Sequence, residues 1–296
     1  SKVTYRAAEE RYLTLFPERG VKAPRWRQIS CLAEANDFAA TTAYGLVIKP
    51  ACEGNNRGVV KVSPGDDITG AFDEAALYLD GGVLCEEIIP YPEEYSFDGI
   101  GELTFITQKS SASGRYPVEY GQTVPARLSR EHAEQITRAG GMANLLVGQR
   151  TGPFHNEVKF DPQQQFAAVI EPNRRPAGMR IWHLAEKVYG INLFKLWVDV
   201  MVGKAALPGQ LVSRGVASIR MLPAPRTGFL HGMANAETLF ARLLARPSVR
   251  KLTLEHRLEW FDFSLLAGNG STVSDTVDDN SKFVAQICVY APADQA

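Results

Sequence analysis

The sequence lacks the patterns that would indicate a metal cluster, a disulfide framework or a membrane segment. Its four cysteines lie far apart and form no Cys-x-x-Cys pair, so neither a zinc cluster nor a dense set of disulfides is indicated. No run of about 18 apolar residues occurs, and the first residues have no basic-then-apolar signal pattern. These absences predict a soluble cytoplasmic protein whose thiols are reduced.

The overall composition is that of an ordinary globular protein. Hydrophobic residues make up 45% of the 296 residues and charged residues 22%, and the formal net charge is -1. This balance gives no general attraction to nucleic acid or to membranes, so any nucleotide site has to be built locally. The length allows a sizeable core and predicts two structural units, one larger than the other.

The segment 152–178 carries the most informative pattern. It predicts two strands joined by a turn at Asp161-Pro162. Because side chains alternate along a strand, the first strand presents one apolar and one polar face. The polar face carries His155, Glu157 and Lys159. The second strand is apolar but ends in Glu171 and, two residues on, Asn173, which share a face if the backbone stays extended.

Two carboxylates and one amide oxygen at neighbouring strand ends suit a magnesium ion that keeps several waters and takes its other ligands from phosphates. The predicted ligands are Glu157, Glu171 and Asn173. The alternative is a plain hairpin with a charged solvent face. The next segment favours the metal site, because Arg174 and Arg175 follow directly and Gly178 opens a helical pattern. A helix N-terminus flanked by arginines attracts anions.

A second pattern joins two short strands through a loop of small polar residues. The first strand ends in Lys49 and Pro50, and the loop runs from Glu53 to Gly58. Backbone N–H groups of such a loop could close over phosphates. It is not a P-loop, because Gly-x-x-x-x-Gly-Lys-Ser/Thr is absent. A surface lysine and an ordinary hairpin turn are the alternatives at this point.

A third pattern is a strand that runs into a connector. Residues 83–90 are mostly apolar but include Glu86 and Glu87, which by themselves would indicate an edge strand with one wet side. The connector then leads through Glu94 into the run Tyr-Ser-Phe-Asp-Gly.

Taken in chain order, with the lysine strand first, then the polar loop, the connector and the metal segment, the segments resemble the ATP-grasp ligases, whose metal-binding end has the run Gly-x-x-His-x-Glu followed by Ile-Glu-x-Asn-x-Arg-x-x-Gly. The resemblance implies an α+β ATP-grasp fold, in which two α+β subdomains clasp ATP, with a small β-rich C-terminal subdomain similar to that of the biotin-carboxylase-like branch. The expected ATP-grasp domain is 1–204, with a mobile lid at about 24–88. The closing subdomain is 205–296, with short strands such as 218–222 and 252–254.

The resemblance also implies roles at the nucleotide site. Lys49 is expected to contact the α- and β-phosphates, with Lys2 as a second phosphate contact; Arg6 matches the same position but is expected to be a solvated helix end. The loop residues that would close over the phosphates are Gly54, Asn55, Asn56 and Gly58. The residues that would hold adenine and ribose are Glu86, Glu87, Ile88 and Glu94. One added residue in the connector lets Glu93 compete with Glu94 for the ribose.

The implied activity is carboxylate-amine ligation. ATP would phosphorylate a carboxylate, and an amine would attack the acyl phosphate to give an amide or peptide bond, ADP and phosphate. Two Mg²⁺ ions on the predicted ligands would bridge the phosphates, and Arg175 with Lys49 would be the catalytic residues. The alternatives are a non-catalytic or regulatory ATP-binding subunit and carbamoyl-phosphate or carboxylase chemistry on the same fold.

The expected partners are a small carboxylate and a small amine, with neither nucleic acid nor a membrane. Members of the family usually carry an α/β domain ahead of the segment that matches Ser1-Lys2, and the sequence starts at this segment. The resemblance therefore predicts a homo-oligomer or a separate N-terminal polypeptide. We expect such a partner to cover apolar surface on the first helix and around Trp26 and Ile29.

Overall fold

A computed structural model describes residues 1–17, 20–54, 56–78 and 81–293. The helices are α1 (Lys2–Leu15), α2 (Leu32–Ala39), α3 (Ile68–Ala76), α4 (Arg130–Leu146), α5 (Ile181–Tyr189), α6 (Leu193–Met201), α7 (Ala236–Leu244) and α8 (Pro247–Glu255). The strands are β1 (Trp26–Ile29), β2 (Leu46–Pro50), β3 (Val60–Val62), β4 (Val83–Glu87), β5 (Glu93–Ile100), β6 (Leu103–Ser111), β7 (Glu119–Val124), β8 (Pro153–Asp161), β9 (Phe166–Asn173), β10 (Gly215–Leu222), β11 (Gly228–Phe229), β12 (Glu259–Leu265), β13 (Thr272–Val273) and β14 (Ala285–Pro292). This mixture confirms the α+β class. In the described part of the chain, no helix is both long and apolar enough to cross a membrane.

The larger sheet has eight antiparallel strands in the order β12-β14-β10-β7-β6-β5-β8-β9. One face packs against α4 and α1 through alternate apolar side chains of β5, β8 and β9. Helix α4 lies very close to this face at Gly140, where an added Cβ would be 2.4 Å from the ring of Phe97. A glycine at that position is therefore what lets the helix pack so tightly.

Helix α5 covers one end of the opposite face of the larger sheet. There α5 packs on Ile100, Leu103 and Phe105 in the main hydrophobic core. Further along the same strands the side chains on this face are polar, because residues two apart on a strand point the same way. They include Glu94, Ser96, Asp98, Thr107 and Lys109. Four of these five residues, all but Glu94, are buried, so this end of the face carries a buried polar cluster.

The smaller sheet has the order β1-β4-β2-β3 and packs against α2 and α3 around its own apolar core. Asp67 caps α3 by accepting hydrogen bonds from the backbone N–H groups of Thr69 and Gly70. The sheet and its helices occupy 26–87, within the lid predicted at 24–88. That this unit moves stays a prediction.

Three strands of the C-terminal part, β10, β12 and β14, join the larger sheet, whereas β11 and β13 pair in a separate two-stranded sheet. Strand β10 pairs with β7, from Ala217 opposite Val124 to Arg220 opposite Gly121, and β14 pairs with β10. Strands on both sides of the predicted boundary after residue 204 therefore share one sheet, and the boundary itself stays a prediction.

Two local expectations were wrong. The strand predicted at 252–254 lies within α8, where Pro247 stands in the first turn and its fixed φ favours helix. The predicted apolar surface around Ile29 is also absent, because Ile29 is only 4% exposed and packs in the core of the smaller sheet. Trp26 is half-buried. Exposed apolar residues do occur at the end of the first helix, where Leu15 and Phe16 are each 61% exposed.

Candidate active site

A cavity of about 790 Å³ is lined by the ends of β8 and β9, the start of α1, the loop after β2 and the segment leading into α5. It brings together seven of the residues predicted from the sequence: Lys2, Gly54, Asn56, Glu157, Glu171, Asn173 and Arg175. Another cavity, of about 570 Å³, lies against α5, β12 and β14 and is lined by none of the predicted residues. The first cavity is therefore the candidate site.

The two acidic residues of the predicted metal site lie opposite each other. Glu157 on β8 pairs with Glu171 on β9, and His155 pairs with Asn173. The register shifts between Glu157 and Val158, because Val158 pairs with Val169. The extra residue on β9 turns Glu171 to the face opposite that of Val169, which is buried in the core. The prediction that Glu171 and Asn173 share a face agrees with this pairing.

Two carboxylates and an amide are few ligands for a protein metal site. Over the described residues, no group of three or more His, Cys, Asp or Glu side chains is arranged to hold a metal ion. Magnesium needs only one or two carboxylates, because waters and substrate phosphates supply its remaining oxygens. The residues present therefore fit Mg²⁺ bound together with a phosphate ligand, and their assignment as ligands stays a prediction.

A buried lysine that the sequence did not single out holds the acids in place. The ammonium of Lys109 lies 2.7 Å from Glu157 Oε1, 2.8 Å from Glu119 Oε1 and 3.5 Å from Glu94 Oε1, and its side chain is completely buried. Burial alone would lower the pKa of Lys109, but the three carboxylates raise it well above its usual value. Although burial opposes it, Lys109 and His155 hold the pKa of Glu157 well below its usual value. Glu157 is therefore an anion in the folded protein.

A second cation faces the same carboxylate. His155 Nδ1 donates to Asp98 Oδ1 at 2.6 Å, and its Nε2 lies 3.4 Å from Glu157 Oε1. Asp98 also accepts hydrogen bonds from Ser96 and Thr107. Burial would lower the pKa of His155, but Asp98 raises it to about 9. Both cations approach the same oxygen of Glu157, Oε1.

The residues predicted to contact the phosphates lie on different elements, and three of them, Lys2, Gly54 and Asn56, line the cavity. Lys2 donates to the carbonyl of Glu53 in the loop after β2, and its ammonium is 3.5 Å from Glu171 Oε1. Asn56 has a positive φ of 59° and donates to the carbonyl of Pro117 at 3.0 Å. Gly58 also has a positive φ, but it packs on the ring of Tyr78 and does not line the cavity. Asn55 lies outside the described residues.

Lys49 is buried in a charged network and does not line the cavity. Its ammonium lies 2.7 Å from Glu86 Oε2, and Arg6 Nε donates to Glu86 Oε1 at 2.7 Å. Arg6 is 1% exposed and also bonds to Glu9 and to the carbonyl of Ile170, so the expectation of a solvated helix end was wrong. Burial would raise the pKa of Glu86, but the two cations lower it to about 2.

The connector residues are engaged within the protein. The backbone N–H of Ile88 donates to the carbonyl of Gly45 at 3.0 Å, and Glu87 Oε1 accepts from the backbone N–H of Ala43. Glu94 lies on the polar face next to Lys109, whereas Glu93 accepts the hydroxyl of Tyr95 at 2.7 Å. This difference favours Glu94 over Glu93 as the residue that contacts the ribose. The roles assigned to the connector residues stay predictions.

Several lining residues were missed. Glu119 is 8% exposed, accepts from Lys109 and from Gln122 Nε2, and lines the cavity. Asn280 reaches the cavity from the C-terminal part, and Met179 lies just before α5 with a φ of 45°. Glu119 follows the apolar Val118 in a segment without a clear strand or helix pattern. No local sequence feature indicates that Asn280 lies near Glu119.

Comparison with known proteins identifies the fold. No family model matches the chain. The crystal structure of an L-amino acid ligase from Bacillus licheniformis superposes on 99% of this chain and 67% of that one, with a TM-score of 0.74 and 18% identity. This chain has the ATP-grasp fold. A second ATP-grasp structure, the biotin carboxylase domain of a Hydrogenobacter thermophilus 2-oxoglutarate carboxylase with MgADP, gives a TM-score of 0.62 at 15% identity, covering 98% and 61% of the two chains.

The ATP-grasp assignment is supported by the sequence relatives. Alanine–anticapsin ligase from Bacillus subtilis is 22% identical over 226 residues, which are 67% of this chain and 48% of that enzyme. The curated relatives that this chain matches are longer proteins. The chain spans as little as 9% of the longest of them. The activity of a whole relative is therefore not transferred by these matches.

Proposed function

We propose that this chain is an ATP- and magnesium-dependent ligase that joins a small carboxylate to a small amine through an acyl-phosphate intermediate, with release of ADP and phosphate. The observation that carries the proposal is the meeting of Glu157, Glu171 and Asn173 with Lys2 and Arg175 in one cavity on an ATP-grasp fold. The acids provide a cation site, and the basic residues provide contacts for a phosphate chain.

The protein's task in such a reaction is mainly to position groups and to stabilise charge. A carboxylate oxygen of the substrate attacks the γ-phosphorus of ATP and ADP leaves; the deprotonated amine then attacks the acyl carbon and phosphate leaves. Two magnesium ions, when bound, supply positive charge to the phosphate oxygens. Glu157, Glu171 and Asn173 hold that charge in place, and Lys2 with the loop at Gly54 and Asn56 steadies the phosphates.

Arg175 and Glu119 suit the two substrates. Arg175 is exposed in the cavity wall, and among the described residues its one hydrogen bond is to the carbonyl of Pro176, so its guanidinium can meet an incoming anion. Glu119 is a buried carboxylate on the cavity wall, held by Lys109 and Gln122. A buried carboxylate attracts an ammonium group, so we place the amino group of an amino-acid substrate beside Glu119.

The test is magnesium-dependent release of ADP from ATP by the purified chain, screened over the amino acids singly and in pairs. Stimulation by one pair, with an equal amount of a condensed product, supports the ligase and names the substrates. Hydroxylamine added to the single-acid reaction should give a hydroxamate if an acyl phosphate forms. ADP release that depends on bicarbonate instead supports carboxylase or carbamoyl-phosphate chemistry. Nucleotide binding with no turnover under any condition supports a non-catalytic subunit.

We also propose that a second copy of the chain or a separate polypeptide covers the exposed Leu15 and Phe16 of α1. Two adjacent large apolar side chains that are each 61% exposed are a common mark of a contact. Sedimentation of the parent and of a Leu15→Ser/Phe16→Ser variant tests this proposal. A monomeric parent whose turnover does not change when the two residues are replaced would contradict it.

A further inference from the structure

A segment of the C-terminal part reaches the cavity and is anchored on both sides. Val277 and Phe283 pack into the main hydrophobic core, and Phe283 is 4% exposed. Between them Asn280–Lys282 form one turn of 3₁₀ helix, which Asp279 caps by accepting from the backbone N–H of Ser281 at 2.6 Å. Strand β14 then begins at Ala285 within the larger sheet. Two apolar anchors, a cap and a strand fix the position of this turn.

The turn places one side chain on the cavity wall next to Glu119. Asn280 Oδ1 accepts a hydrogen bond from the backbone N–H of Glu119 at 3.1 Å. Because a backbone N–H can only donate, the amide orientation is fixed and Nδ2 faces the other way. The structure shows no hydrogen-bond partner for this nitrogen among the residues it describes, and Asn280 lines the cavity. The donor at Asn280 is thus available to a ligand.

Glu119 and Asn280 line the same cavity, the first with a buried carboxylate that accepts and the second with an amide nitrogen that donates. An α-amino acid carries the complementary pair, an ammonium that donates and a carboxylate that accepts, separated by one carbon. The charged groups of the polar face near Glu119 include Glu94, Lys109, Glu157, His155 and Asp98. Lys109 is fully buried and already shared among three carboxylates, so it is not a free donor.

We propose that Asn280 is a substrate-contacting residue, and that its Nδ2–H donates to a carboxylate oxygen of the amino-acid substrate whose ammonium is held by Glu119. This inference rests on the proposed function and extends it, because it assigns part of the substrate selectivity to the C-terminal part of the chain. The competing explanation is that Asn280 only supports the start of β7 through its bond to Glu119.

The two explanations are separated by a pair of substitutions. Asn280→Asp keeps an oxygen that can accept from the Glu119 N–H but removes the donor, whereas Asn280→Ala removes both. Ser281 is exposed in the same turn, and Ser281→Ala is the matched control. Binding of the amino acids to the full chain is measured by calorimetry, binding of ADP with Mg²⁺ is measured separately, and the melting temperature is recorded for each variant.

We expect both Asn280 variants to bind the best amino acid about 10-fold or more weakly, as the loss of one hydrogen bond to a charged group requires. ADP affinity should stay within about twofold, and Asn280→Asp and Ser281→Ala should melt like the parent. Normal amino-acid binding by Asn280→Asp, with weak binding and low stability only in Asn280→Ala, would show a purely structural role and overturn the proposal. A parent that binds none of the amino acids overturns it as well. Amino-acid binding without ADP release would instead disprove the ligase function. The binding measurements on the Asn280 variants would still decide whether Asn280 contacts the amino acid.

Discussion

Glu157 and Glu171 face each other across the β8–β9 ladder because β9 has one residue more than its partner strand at this point. Without that extra residue, Glu171 would lie on the same face as Val169, which is buried against α4 and α1. The bulge therefore turns the end of a core strand toward the cavity, where Glu171 is predicted to be one ligand of a cation. Bulges of this kind are common where a side chain has to be re-aimed near an active site.

Replacement of Glu171 by alanine should abolish turnover and leave the fold intact. The carboxylate is 29% exposed and its one ion pair within the described part of the chain is the 3.5 Å contact with Lys2, so the free energy of unfolding should change by less than about 1 kcal/mol. Loss of a metal ligand should lower ADP release by about 100-fold or more. Glu102→Ala, at an exposed position after β5, is the control. Turnover within about twofold of the parent would remove Glu171 from the metal site.

The buried carboxylate of Glu86 should make stability depend on pH. Its pKa in the folded protein is about 2 against a usual value of 4.5, because Arg6 and Lys49 outweigh the effect of burial. A lowered pKa contributes stability that is present above pH 4.5 and is lost as the pH falls toward 2, on the order of 3 kcal/mol in all.

The matching experiment compares the parent with Glu86→Gln in denaturant titrations between pH 7 and pH 2. The difference in the free energy of unfolding should be largest at pH 7 and should shrink as the pH falls below about 4.5. Glu102→Gln should show no such trend. A difference that is constant over the whole range would mean that Glu86 is not stabilised as an anion in the folded state.

Local sequence patterns predicted the polar face of β8 and the order of the segments correctly, since both depend on alternation and on neighbours in the chain. His155 and Glu157 lie on one face of β8, and the strand ends meet in a cavity as expected. The bulge in β9 could not be predicted, because it is decided by pairing with β8 and not by the sequence of β9 alone.

Contacts between segments that are distant in the chain could not be predicted from local sequence patterns. Lys109 joins acids from three different strands, and Asn280 meets Glu119 across 161 positions. Arg6 is the clearest failure: its helix position indicated solvent, yet Glu9 and Glu86 neutralise it in the interior. A buried arginine is tolerated only when such partners are present. Glu86 is 80 positions away from Arg6, so the sequence around Arg6 does not indicate this partner.

Arg175 should act on the reaction more than on nucleotide binding. If its guanidinium meets charge that develops during phosphoryl transfer, Arg175→Ala should lower kcat by about 100-fold or more with little change in the Kd for ATP. Lysine should rescue poorly, because it lacks the planar fork of donors. Arg150→Ala, at an exposed position outside the cavity, should behave like the parent. A loss of ATP affinity with kcat unchanged would make Arg175 a ground-state phosphate contact.

Lys109 should be essential for the folded state as well as for the site. Its ammonium is the fully buried cation that separates Glu94, Glu119 and Glu157, and Lys109→Met would leave three carboxylates facing one another without it. Removing one partner from a buried ionic cluster typically costs about 3–5 kcal/mol, so we expect a loss of that size in the free energy of unfolding.

Lys159→Met is the control, because the ammonium of this partly buried lysine contacts the Tyr91 carbonyl at 3.4 Å. Adding Glu119→Gln to Lys109→Met removes one of the repelling charges and should recover part of the loss. A Lys109→Met protein as stable as the parent, or a double variant no more stable than the single one, would show that charge neutralisation by Lys109 is not what holds these carboxylates together.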